Sequence, residues 1–89
     1  MDHLATQFDL ATSDVVEVRI EQRTNVRLMT LTNYQAYRSL RDYRAIGSGF
    51  TPGVVRHAVP HSGRWVLVLD LGGRAGTIRH SNVRIARAA

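Results

Sequence analysis

The chain contains no cysteine and no lysine. The first absence excludes a disulfide scaffold, a thiolate zinc site and a cysteine nucleophile. A small domain without such staples is held by packing alone or by self-association. The second absence makes arginine the carrier of all twelve formal positive charges. No apolar run approaches the ~20 residues of a membrane-spanning helix. The start, Met1-Asp2-His3-Leu4, has neither the basic flank nor the apolar core of a secretory signal. A cytoplasmic protein without membrane association is therefore expected.

What is present fits one small globular unit. A chain of 89 residues accommodates one core of modest size, so residues 1–89 read as a single β-domain. A hydrophobic fraction of 44% is ordinary for a folded protein and argues against disorder. Two readings of the arginine bias stay open. A coding bias toward Arg and Ala explains it without function, whereas guanidinium forks that grip carboxylates or phosphates explain it with one. The charges are also unevenly spread. Residues 1–21 hold one arginine against Asp2, Asp9, Asp14, Glu17 and Glu21, a balance of −4. Residues 22–89 hold eleven arginines against Asp42 and Asp70, a balance of +9. Such asymmetry suits an anionic partner, or a protomer whose acidic region meets a neighbour's basic one.

The clearest structural signal is Pro60-His61-Ser62-Gly63-Arg64-Trp65-Val66-Leu67-Val68-Leu69-Asp70-Leu71-Gly72-Gly73. A turn leads into an apolar run holding the single tryptophan and ends in a double-glycine turn, which predicts a strand buried on both faces. Trp65, Leu67 and Leu69 are expected in one core, with Val66 and Val68 covered on the other side. Gly63, Gly72 and Gly73 are expected to include a positive φ. Val16, Val18 and Ile20 alternate with Glu17, Arg19 and Glu21, and Val26, Leu28 and Thr30 alternate with Arg27, Met29 and Leu31. These two runs flank Arg23-Thr24-Asn25 and predict a hairpin in which Ile20 faces Leu28 and Glu21 faces Arg27.

Thr32 or Asn33 can cap a short helix continuing to Arg41, with Tyr34, Tyr37 and Leu40 on one side and Arg38, Arg41 and Arg44 on another. Ile46-Gly47-Ser48-Gly49-Phe50-Thr51-Pro52-Gly53 reads as a mobile, glycine-punctuated loop. Strands are expected over Val54–Val59 and Thr77–Ile85. In the second of these, Ile78 and His80 share a parity that Val83 and Ile85 do not, which predicts a bulge near Ser81-Asn82. The tail Ala86–Ala89 is expected to fray. Together these elements predict an all-β fold: a small antiparallel β-sandwich or partly open barrel with one short helix.

The segments Asp14-Val15-Val16-Glu17-Val18, Asn25-Val26-Arg27-Leu28-Met29, Asn33-Tyr34-Gln35-Ala36-Tyr37, Val59-Pro60-His61-Ser62-Gly63-Arg64-Trp65 and Asp70-Leu71-Gly72-Gly73, in this order, carry a resemblance. The chain is similar to a bacterial family of short proteins described only as a domain of unknown function. The similarity runs over nearly the whole chain. One departure is Thr12-Ser13 ahead of Asp14, where glycine is expected. The resemblance implies a compact β-structure. Because such domains occur alone or attached to TIR-type signalling domains, it also implies a recognition or regulatory module. It brings no substrate and no catalytic residue.

The residues themselves point away from catalysis. The candidates are His57, His61, His80, Asp70, Ser62 and Ser81, and a Ser–His–Asp set among them needs nucleophile, base and orienter within hydrogen-bond reach. Ser62 and His61 stand in a Pro-His-Ser-Gly turn, where turn chemistry explains them. Asp70, directly before Leu-Gly-Gly, suits an acceptor for the amides of that turn. His57 and His80 on neighbouring strands could share a metal, yet no fixed-spacing ligand motif accompanies them. Gly72-Gly73-Arg74-Ala75-Gly76 leads into a strand rather than a phosphate-binding helix. No enzyme activity and no cofactor are therefore expected. The expected function is a non-catalytic module that recognises a protein partner or an anionic ligand and associates with itself. The candidate surface comprises Tyr34, Tyr37, Arg38, Arg41, Arg44, Phe50, His61 and Arg64. The alternative is a nucleic-acid-binding β-module, for which arginines and tyrosines on an open β-surface are the raw material.

Overall fold

The apolar run after Gly63 becomes a central strand, and the rest of the fold is arranged around its two faces. The computed structural model describes residues 3–87. Its elements are β1 (His3–Leu10), β2 (Val15–Ile20), β3 (Thr24–Thr30), α1 (Leu31–Arg38), β4 (Gly49–Phe50), β5 (Gly53–Ala58), β6 (Gly63–Asp70) and β7 (Arg84–Ala86). They form two antiparallel sheets, ordered β1-β6-β3-β4 and β5-β2-β7. The result is an all-β sandwich with one short helix, and not a closed barrel. Among the described residues no helix is long and apolar enough to cross a membrane.

β6 lies between β1 and β3, with the second sheet over one face and α1 over the other, so its sequence reads apolar at both parities. Trp65, Leu67 and Leu69 enter the inter-sheet core with Val16, Val18 and Ile20 of β2 and Val26 and Leu28 of β3. Val66 and Val68 face the other way and pack with Met29 and Tyr37, under α1. Both assignments agree with the sequence reading. Gly72 has φ +66° and Gly73 φ +86°, as the double-glycine turn requires.

The hairpin between β2 and β3 does not form. β2 pairs with β5 and β7, whereas β3 pairs with β6 and β4, so the connection crosses from one sheet to the other. Ile20 and Leu28 do share one core, but they reach it from opposite sheets. Glu21 turns its amide to the Arg79 carbonyl (3.1 Å), and Arg27 is held by Asp70 instead. Period-2 alternation reports only which face is buried. A short polar connector serves a hairpin and a sheet-to-sheet arch equally well. The fully buried Thr24 secures the crossing by donating its hydroxyl to the Gln22 carbonyl (2.9 Å).

The glycine-punctuated segment is also tied down rather than loose. Ile46 exchanges backbone hydrogen bonds with Leu28 (2.8 and 2.9 Å), the Ser48 carbonyl accepts from the Val26 amide (2.9 Å), and Gly49–Phe50 form β4 against β3. Gly47 sits at φ +89°, and a Cβ there would lie 2.5 Å from both the His57 ring and the Val26 carbonyl oxygen. Glycine is what lets this segment close over His57.

The last predicted strand is shorter than expected. It comprises Arg84–Ala86 and a single bridge from His80 to Ile20. Between the Glu17–Arg84 and Ile20–His80 pairs, Val18 and Arg19 face Ser81, Asn82 and Val83. This is the predicted one-residue bulge, and the Ser81 hydroxyl fills its gap by accepting the Arg19 amide (3.0 Å). Of the predicted fraying tail, Ala86 belongs to β7; Ala88 and Ala89 lie outside the described residues, as do Met1 and Asp2.

The helix starts earlier and stops sooner than predicted. Thr30 is the N-cap and accepts the Asn33 amide (3.3 Å). The helix ends at Arg38, where Leu40 takes φ +57° and Leu40 and Arg41 return their amides to the Tyr37 and Ala36 carbonyls (3.3 and 2.9 Å). Leu40 therefore leaves the tyrosine face and is 84% exposed. Ser13, in the Thr12-Ser13 pair where glycine is expected, has φ +71°.

Candidate functional site

Three chain segments converge beside Trp65. The indole stands at the start of β6, opposite Thr30 at the end of β3. α1 begins directly after Thr30, and Asn33 in its first turn reaches both ways. Its amide nitrogen donates to the Thr30 hydroxyl (2.8 Å), and its carbonyl oxygen accepts the Arg44 backbone amide (2.8 Å). This pins the segment after the helix against the helix start. From the other side comes the Pro60–Gly63 turn, fixed because Trp65 Nε1 donates to the His61 carbonyl (3.0 Å). The imidazole of His61 then lies against the indole, 4.9 Å between ring centroids.

The space left between these segments is an open cleft of about 230 Å³. Leu28, Ile46 and Trp65 supply its apolar lining, and Asn33, Arg44 and His61 its polar rim. Arg44 and His61 are exposed, and among the described residues neither is in an ion pair. A guanidinium and an imidazole at the rim of one cleft can together hold an anionic group.

On the far side of the sheet the tyrosines build a different structure. Tyr37 is buried and donates its hydroxyl to Asp70 Oδ2 (2.7 Å). Asp70, 0% exposed, also accepts Asn25 Nδ2 (2.7 Å), Arg27 Nη1 (2.8 Å) and the Gly72 amide (2.8 Å). Burial alone would push this carboxyl up. The hydrogen bonds from Asn25, Tyr37 and Gly72 and the charge of Arg27 outweigh it and hold Asp70 below the usual carboxylate range. Burial, and then the hydrogen bond to Asp70, push the Tyr37 phenol well above its ordinary value. The expected turn role of Asp70 is thus present, within a larger network that fastens α1 to the sheet. Tyr34 hydrogen-bonds through its hydroxyl to His3 Nε2 (2.9 Å), and Tyr43 packs edge-on against Tyr37 (5.1 Å).

The structure therefore divides the predicted surface. Arg44 and His61 meet at the Trp65 cleft. Arg38, Arg41 and Arg44 do not form a helical stripe, because α1 ends at Arg38. Arg38 lies over the Tyr34 ring (5.7 Å), Arg41 borders a second hollow with Tyr37, Leu40 and Tyr43, and Arg44 borders the first. Phe50 is half-buried with its ring on His57 (5.5 Å), and Arg64 is paired with Asp9 (3.2 Å). Tyr34 and Tyr37 serve mainly to pack α1.

Other candidates are likewise engaged. His57 is buried and donates Nε2–H to the Val26 carbonyl (3.0 Å). His80 lies on the opposite side of β2, so these two histidines do not share a site. Ser62 Oγ accepts the Thr12 amide (3.2 Å). Among the described residues no group of three metal-ligating side chains assembles. The sequence reading missed Asn33 and Ile46 as cleft residues and Tyr43 as a packing partner. Only the Asn33 cap hinted at any of these.

Fold and site together define a small β-sandwich with a helix on one outer face and a Trp65-lined cleft on one side. The chain belongs to the DUF1883 family, a domain of unknown function, which it matches over residues 3–89. No curated protein and no solved structure matches it.

Proposed function

We propose that this domain is a non-catalytic, cytoplasmic recognition module that holds an acidic group of a protein partner in the Trp65 cleft, and that it also associates with itself. The observation that carries this reading is that Arg44 and His61, distant in sequence and free of ion pairs among the described residues, line one cleft beside Trp65. Size favours a side chain or a terminal carboxylate over a larger ligand, since about 230 Å³ is below the ~300–1,000 Å³ of typical small-molecule sites. Attachment to TIR-type signalling domains, which the family resemblance implies, fits a module of this kind. The nucleic-acid alternative draws on Arg38 over Tyr34. It is weakened because Arg38, Arg41 and Arg44 border separate hollows rather than one phosphate track.

Trp65 is the only tryptophan, so its emission reports on the cleft directly. Titration with a library of glutamate-containing peptides should shift that emission, and glutamine counterparts should not. Arg44→Ala should weaken the response about tenfold or more, the worth of one charge-assisted hydrogen bond, without altering the melting temperature. Emission that ignores every acidic peptide, or a response that Arg44→Ala leaves intact, would overturn the reading. A gel shift that falls steeply with salt would instead favour nucleic acid.

A further inference from the structure

We propose that the free edge of β1 pairs with β1 of a second copy of this chain, antiparallel about a two-fold axis at Thr6. This names a surface for the self-association proposed above, and it is separate from the Trp65 cleft. Among the described residues β1 is an edge strand that pairs with β6 alone, in unbroken register from the His3–Asp70 pair to the Leu10–Gly63 pair. Natural edges of this length are blunted by lysine, proline, inward charges or a bulge. β1 has no lysine, proline or bulge, and its one acidic side chain, Asp9, stands near its end: between His3 and Asp9 it reads Leu4-Ala5-Thr6-Gln7-Phe8, with no charge. The other edges are protected. β4 has two residues, β7 has three with Arg84, and β5 carries Arg56 and follows Pro52. At the far end of β1 the Arg87 guanidinium donates to the Asp9 carbonyl (3.2 Å), so among the described residues the open stretch is the uncharged one.

Burial along β1 shows what is missing. The register puts Leu4, Thr6, Phe8 and Leu10 on the face that carries Trp65, Leu67 and Leu69. The second sheet covers only one end of that row: Leu10 is buried, Phe8 is half-buried, Thr6 is exposed and Leu4 is 43% exposed.

A two-fold axis perpendicular to the sheet keeps each face continuous, so it must pass through a residue position. At Thr6 it sets Leu4 of one copy opposite Phe8 of the other, which closes both ends of the uncovered row. On the opposite face it sets Ala5 against Gln7, and His3, which is bonded to Tyr34, against Asp9, which is paired with Arg64, so that no like charges are opposed. An axis at Gln7 would spend Leu4 on the already buried Leu10, and one at Ala5 would leave Phe8 uncovered. The strand read backwards complements itself, which favours a second copy over a foreign strand.

Native mass spectrometry and sedimentation of the intact chain should give a concentration-dependent mass of two chains. Thr6→Lys places two ammonium groups on the axis and should return the mass to one chain, with circular dichroism and melting unchanged because Thr6 is exposed. In a protein that lacks cysteine, Thr6→Cys should form a disulfide-linked pair under mild oxidation, whereas Thr12→Cys on the exposed turn should not. A one-chain mass at every concentration, an open-ended assembly, a two-chain mass that survives Thr6→Lys, or equal linking of the two cysteine variants would each overturn the proposal. Each result is independent of whether peptides bind at Trp65.

Discussion

The two faces of β6 are held by different physics. On the inner face, Trp65, Leu67 and Leu69 meet aliphatic side chains from both sheets, and the contacts there are non-directional burial. On the outer face, Val66 and Val68 contribute a smaller apolar patch, which is completed by a buried carboxylate. Asp70 directs Tyr37, Asn25, Arg27 and the Gly72 amide to fixed positions, so α1 is located by hydrogen bonds as much as by packing. An apolar core tolerates many arrangements of similar volume. A buried polar network admits few, because each unmade bond leaves a desolvated group. The inner core therefore supplies most of the stability, and the outer one specifies where the helix sits.

Substitutions on the two faces should separate these roles. Trp65→Ala is expected to have the largest effect, a loss of about 3–5 kcal/mol in denaturant unfolding, much of the ~5–15 kcal/mol typical of a domain. If this variant melts like the parent, the inner core is not the main source of stability. Asp70→Asn should cost less, on the order of 3 kcal/mol for breaking a buried charged pair. It should also change the dependence on pH. The folded carboxyl of Asp70 sits below its usual value, so the unfolded chain binds the proton more readily. The contribution of Asp70 is then fully present above the ordinary carboxylate pKa of about 3.9 and is lost as pH falls through the folded value. Asp70→Asn should flatten that acid limb of the stability profile, while Trp65→Ala should lower the whole profile without reshaping it. An acid limb unchanged in Asp70→Asn would assign it to other carboxylates.

The same division explains which parts of the fold were legible in the sequence. Alternation and turn residues predicted β2, β5, β6 and both destinations of the β6 side chains, because burial period is written directly in residue order. The odd offset between Ile78-His80 and Val83-Ile85 predicted the bulge for the same reason. Strand partners were not legible: Ile20 and Leu28 satisfy a hairpin and an arch alike. The Asp70 network was half legible, since the Asp-Leu-Gly-Gly turn shows the Gly72 bond but not Asn25, Arg27 or Tyr37, which arrive from β3 and α1. At the cleft, Arg44 and His61 were named separately, yet nothing local to either shows that Asn33 would draw the Arg44 segment toward the His61 turn. The helix end was misplaced because Leu40 occupies a left-handed position that composition would give to glycine.

That position offers the smallest and most direct test of the outer face. Leu40 is 84% exposed at φ +57°, and its burial contributes almost nothing to offset the strain of a left-handed side chain. Glycine adopts this conformation without the clash, and the amides of Leu40 and Arg41 would keep their bonds to Tyr37 and Ala36. Part of the relief is cancelled because glycine gives the unfolded chain more freedom to lose. A net gain of about 0.5–1 kcal/mol is expected for Leu40→Gly, visible as a small rise in melting temperature with the acid limb set by Asp70 unchanged. A loss of stability would show instead that Leu40 packs on Tyr37 and Tyr43, whose hollow it borders. The outer face would then depend on burial at its rim as well as on the hydrogen bonds at its centre.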